Sequence, residues 1–93
     1  MIVTDAQARV LERIIDERHR QRERWGEQPH NTHCQWLTII TEEVGEAARH
    51  AIELEHDAYP HSIDIDNENE QKLRIELVQL AAVVIAWLER LEP

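Results

Sequence analysis

Twelve consecutive positions, Leu77 to Leu88, contain one polar residue, Gln79, and charged residues stand on both sides of the run. A membrane span needs about 20 apolar residues, so this segment reads instead as the centre of a core helix, predicted over about 70–91. Apolar groups then cover nearly the whole circumference of that helix, and a chain of 93 residues offers few neighbours to bury them. A helical bundle completed by further copies, a homodimer or homotetramer, is expected. Two glycines, three prolines and no phenylalanine, with many Ala, Leu, Glu, Arg and Gln residues, agree with an all-α chain forming one domain over 1–93.

Two further helices are predicted upstream. Thr4, with Gln7 three residues on, has the pattern of a capping box and opens a helix over about 5–24, which Gly26 and Pro29 end. Ala6, Val10, Leu11, Ile14 and Ile15 repeat at helical spacing, whereas the "ERHRQRERW" that follows Asp16 is mostly charged. The front half is therefore expected in the core and the arginines at 18, 20, 22 and 24 on a solvated face. Asn31 or Thr32 can cap a second helix over about 34–56, where Leu37, Ile40, Val44, Ala47, Ala48, Ala51 and Leu54 form one wide apolar stripe. The stretch from about 57 to 69 has no sustained period and reads as a connection, with "SIDID" open to an extended alternative.

Nineteen acidic against ten basic side chains give a formal charge of −9. Nucleic-acid polymers and anionic membranes would be repelled by most of such a surface, while nucleotides carried with magnesium remain compatible. One cysteine, Cys34, excludes an intrachain disulfide, and no charged start followed by an apolar stretch marks export, so a cytoplasmic location is expected.

Some of the acid is patterned. Glu43 and Glu46 are three apart on the second helix and can approach a common ligand, Glu43 sitting beside the apolar stripe and Glu42 nearly opposite it. Gly45 lies among them at a cost of about 1 kcal/mol relative to Ala, for which close approach by a helix or ligand is one reason. Glu76 opens the apolar run of the last helix and Gln79 follows three residues later. Set against one another, the two helices would bring three carboxylates and an amide together, an arrangement that needs a cation or protons to be stable. Hard oxygen donors favour Mg2+, with Mn2+ also suited. The alternative is a plain charged surface.

"TEEVGEAAR", followed some thirty residues later by "RIELVQLAAVVIAWLE", resembles the MazG-like branch of the all-alpha nucleoside triphosphate pyrophosphohydrolases, and "ERHRQRERWGEQ" is similar to the segment that precedes the first motif there. That family carries EExxE on one helix and ExxD on a later one. Glu42, Glu43 and Glu46 match the first motif and Glu76 the glutamate of the second, while Gln79 departs from it by standing where the family has aspartate. The resemblance implies a bundle, assembled as a dimer or tetramer, that hydrolyses a nucleoside triphosphate to the monophosphate and pyrophosphate with magnesium. Glu43, Glu46 and Glu76 would hold the metal, with Gln79 a neutral fourth ligand, and Glu42 would orient or deprotonate the attacking water. Gln79 weakens one metal position, which keeps open a nucleotide-binding or regulatory protein without hydrolysis; a purely structural helical oligomer is the third reading. Trp25 and Trp36 either pack against the protein or stack on a base, Lys72 can meet a phosphate or pair with Glu76, and His50 can hydrogen-bond to the cluster. Trp87 belongs in the core.

Overall fold

A computed structural model describes residues 1–27, 30–57 and 63–93, with the backbone alone for 57 and 63–67. It contains three helices, α1 (Asp5–Trp25), α2 (His33–Asp57) and α3 (Ile63–Leu91), and no strand among the described residues. The start of α1 is set by the expected capping box: the Gln7 amide donates to the Thr4 hydroxyl at 3.0 Å and the Thr4 amide donates to Gln7 Oε1 at 2.8 Å. Its end is set by Gly26, whose φ of 74° lies in the region that favours glycine and whose amide donates to the Arg22 carbonyl. Thr32, rather than Asn31, caps α2 through the same reciprocal pair with Gln35, at 3.1 and 2.7 Å. α2 thus begins at His33.

α3 is the central element and packs against both α1 and α2. Its buried residues Ala82, Val83 and Ala86 are small, which lets neighbouring helix axes come close. Trp36 of α2 fills the space beside Val83 and Ala86, with Ile39, Ile40 and Trp87 packed around them. Trp87 is only half-buried, and its indole N–H donates to His33 Nδ1 at 3.0 Å, tying the end of α3 to the start of α2.

Two expectations are corrected. α3 begins at Ile63, so the segment 63–69 is helical and the extended alternative fails for its described part; residues 58–62, Pro60 among them, lie outside the described residues, as does Pro29. The first turns of α3 are rich in Asp, Asn and Glu, which suit the positive end of a helix dipole but carry no apolar period to reveal them. In α1 the expected burial is reversed. Val10, Leu11 and Ile15 are exposed, whereas the back half buries Arg18 and Gln21. Arg18 donates to both carboxylate oxygens of Glu89 on α3, at 3.2 and 3.1 Å, and the Gln21 amide donates to the Gln79 carbonyl at 3.2 Å. Polar side chains whose donors are met in this way can replace apolar ones at a helix contact. No helix among the described residues is long and apolar enough to cross a membrane.

Candidate metal centre

α2 and α3 pass each other so that the EExxE segment faces the polar start of the α3 apolar run. Glu46, His50 and Glu76 each place a ligand atom within 4.8 Å of the other two. Glu43 joins this group from one turn before, near enough to Glu76 for the charge of that carboxylate to raise its pKa. The four residues belong to two helices and one corner, because positions 43, 46 and 50 are separated by three and four residues and lie along one side of α2.

The electrostatics follow from that crowding. Glu43 is pushed above the ordinary carboxylate range, first by burial, then by the charge of Glu76 and the hydrogen bond to it, and then by Glu46 and Glu17. Burial and the neighbouring carboxylates thus favour the protonated form of Glu43, the neutralisation expected of carboxylates crowded together. Glu46 is partly offset by Arg49 at 3.0 Å. His50 Nε2 is 3.9 Å from Glu76 Oε1, and Nδ1 is 3.7 Å from Glu53 but buried without a hydrogen-bond partner among the described residues. An imidazole and glutamate oxygens drawn together form a donor set that fits a small divalent ion.

The pH dependence has a definite sign. The folded state holds the Glu43 proton more tightly than the unfolded chain, so stability falls as pH rises from the ordinary value of 4.5 through the raised one, and above that window the full penalty applies. Glu43→Gln, which can still donate to Glu76, is expected to melt at a higher temperature than the wild type at pH 8 in a chelator. Melting curves from pH 4 to 8 should show the gap closing toward the acid end; a gap that is constant with pH would refute the assignment.

Of the other residues singled out by sequence, Glu42 is exposed and lines, with Glu43, a cavity of about 240 Å³ between the three helices. Trp25, Gly26, Arg18 and Gln21 of the α1 end form its other wall. Trp25 is about half exposed, with the Arg20 and Arg24 guanidinium groups 5.9 and 5.5 Å from its ring centre. Trp36 lines the same cavity but is 4 % exposed within the core cluster, so packing takes most of its surface. Gln79 is half-buried one turn beyond Glu76, and its backbone carbonyl accepts from the Gln21 side-chain amide. Lys72 is exposed and pairs with Glu68 at 3.5 Å rather than with Glu76. A Cβ added at Gly45 would meet nothing within 4 Å among the described residues, so no close approach by them explains that glycine.

Sequence reasoning missed two features. Glu17, which accepts from Arg20 at 2.7 and 2.6 Å and from Gln21 at 3.1 Å, reaches the cluster from α1. The signal was available, because Glu17 and Gln21 continue the row of Val10 and Ile14 at spacings of three and four. His50 offers a ligand atom, beyond the hydrogen bond expected of it, and stands four residues after Glu46 on the same side of the helix. In comparisons with known proteins the chain matches no family model, no curated protein and no solved structure.

Proposed function

We propose that the chain is a metal-dependent nucleoside triphosphate pyrophosphohydrolase, working as a homodimer or homotetramer of antiparallel core helices with Mg2+, or Mn2+, as its ion. One observation carries the reading: Glu43, Glu46 and Glu76 converge from two helices at the positions that the EExxE and ExxD motifs assign to metal ligands. These carboxylates, with His50 within reach, would hold the ion. A bound divalent ion there supplies charge neutralisation for the phosphates and lowers the pKa of a coordinated water. Glu42, at the mouth of the neighbouring cavity, is placed to orient or deprotonate the attacking water. Trp25 offers a half-open indole face in the same cavity for a base, and Trp36 backs it from the core. Lys72, four residues before Glu76, forms an exposed pair with Glu68, the kind of contact that is worth little and releases readily to a phosphate.

The test is pyrophosphate release from a panel of ribo- and deoxyribonucleoside triphosphates with Mg2+ or Mn2+. Release of pyrophosphate and monophosphate in equal amounts, abolished by chelation, is expected; no turnover at high enzyme concentration would overturn the enzymatic reading. Gln79 favours a second reading, binding without turnover, because an amide brings an oxygen but no charge to the metal. Calorimetry showing metal-dependent nucleotide binding beside absent hydrolysis would select it.

A further inference from the structure

α1 is anchored on α3 through its back half, where Arg18 and Gln21 are buried, and its front half leaves a groove of about 680 Å³ between the two helices. Ala6, Val10 and Ile14 line it from α1, and Leu73, Leu77 and Ala81 from α3, each set forming a row at a spacing of four along one side of its helix. Val10 and Leu77 are 47 and 49 % exposed, so apolar surface lies open to solvent here. The edge of the groove is basic. Arg9 and Arg13 on α1 and Arg74 on α3 put three of the ten basic side chains around it, with one acid, Glu70, among the lining residues. Arg74 pairs with Glu70 at 3.6 Å, whereas Arg9 and Arg13 have no ion-pair partner among the described residues.

We propose that this groove docks an acidic amphipathic helix of a partner protein, its apolar side laid on the floor and its carboxylates set against Arg9 and Arg13. The lining rows run along about 12 Å of α1 and about 16 Å of α3, the length of two to three turns of a helix. Rows at a spacing of four on two neighbouring helices leave a channel that accepts the side chains of a third at the same spacing. Charge names the partner. A surface of −9 repels an acidic segment over most of its area, so the arginine cluster is where such a segment is attracted. A polyanion without apolar side chains would leave the floor uncovered. A second copy seated two-fold on this groove would bring both sets of three arginines into one interface, the like-charge juxtaposition that an acidic partner avoids. The groove shares no lining residue with the group of Glu43, Glu46, His50 and Glu76, so docking is separable from the proposed hydrolysis.

Fluorescence anisotropy in a chelator, where hydrolysis plays no part, tests the groove with two stapled helical peptides of about four turns each. Both carry leucine at alternating spacings of three and four, flanked by glutamate in one peptide and by lysine in the other. The wild type is expected to bind the glutamate peptide about tenfold or more tightly than the lysine peptide, the reverse of the order that a net charge of −9 alone would give. Arg9→Glu/Arg13→Glu should invert that preference, and Val10→Gln should weaken the glutamate peptide about tenfold by removing one apolar contact from the floor. All three positions are exposed, and circular dichroism checks that the helices are kept. Where the charge-reversed chain does not fold, Arg9→Gln/Arg13→Gln should abolish the preference for glutamate. A wild type that prefers the lysine peptide, no binding of either peptide, or an unchanged affinity for the glutamate peptide in the folded arginine variants would overturn the proposal. So would a wild-type oligomer, seen by sedimentation, that Val10→Gln separates into monomers, since the groove would then belong to a second copy.

Discussion

Glu76→Gln is expected to lower kcat/KM for pyrophosphate release about 100- to 1,000-fold, the range typical of removing one preorganised charged contact to a reacting centre. Glu76 is the residue on which the site converges: its charge raises Glu43, it stands 3.9 Å from His50 and it supplies a ligand atom to the group with Glu46. An amide keeps the shape and one oxygen but loses the charge, so divalent affinity falls while the helices stay packed. Removing the charge also lets Glu43 return toward its ordinary range, since Glu76 supplies the two largest causes of its elevation after burial. The variant should therefore unfold at a higher temperature than the wild type in a chelator and gain less from added Mn2+. Steady-state kinetics beside melting curves separates this from simple misfolding. Full activity in a folded Glu76→Gln protein would remove Glu76 from the metal set, and with it the proposed site.

Much of the fold was legible because its signals are local. The Thr4–Gln7 box set the start of α1 within a residue, and Gly26 with its positive φ set the end. The spacing of Glu43, Glu46 and Glu76 was enough to bring them toward one another, because residues three and four apart share one side of a helix and α3 has few polar positions to offer. The remainder depends on which sides of the helices meet, and that is decided between elements. The apolar stripe of α2 is wider than its contact with α3, so Leu37 and Val44 looked as buried as Ile40 and Ala47 until the packing was seen. In α1, arginine reads as solvated by composition, yet the bidentate bond of Arg18 to Glu89, 71 residues away, inverts which half is buried. The early turns of α3 were hidden for a third reason: an acidic helix start with no apolar period is indistinguishable from a loop by periodicity alone.

Gln79→Asp is expected to change two quantities in opposite directions. Gln79 lies half-buried one turn after Glu76, at the position that the resembling family fills with aspartate. A fourth carboxylate there would add charge to a cluster in which burial and like charges already raise Glu43. Without metal, the variant should be less stable than the wild type at pH 8, and the deficit should shrink toward pH 4 as the carboxylates take up protons. With metal, the added charge becomes a ligand. Mn2+ affinity should rise about tenfold or more, equivalent to about 1.4 kcal/mol, and the melting temperature should climb further on metal addition than that of the wild type. Isothermal titration with Mn2+ and paired melting curves read both effects. Pyrophosphate release then separates the roles of the glutamine: a steep gain in turnover identifies an impaired hydrolytic site, whereas unchanged or lower turnover alongside tighter metal binding identifies a site adapted to one fewer charge. If the substitution changes neither metal affinity nor the pH dependence of stability, position 79 does not face the cluster. The second motif of the metal set would then consist of Glu76 alone, with His50 as an imidazole partner that the ExxD pattern does not predict.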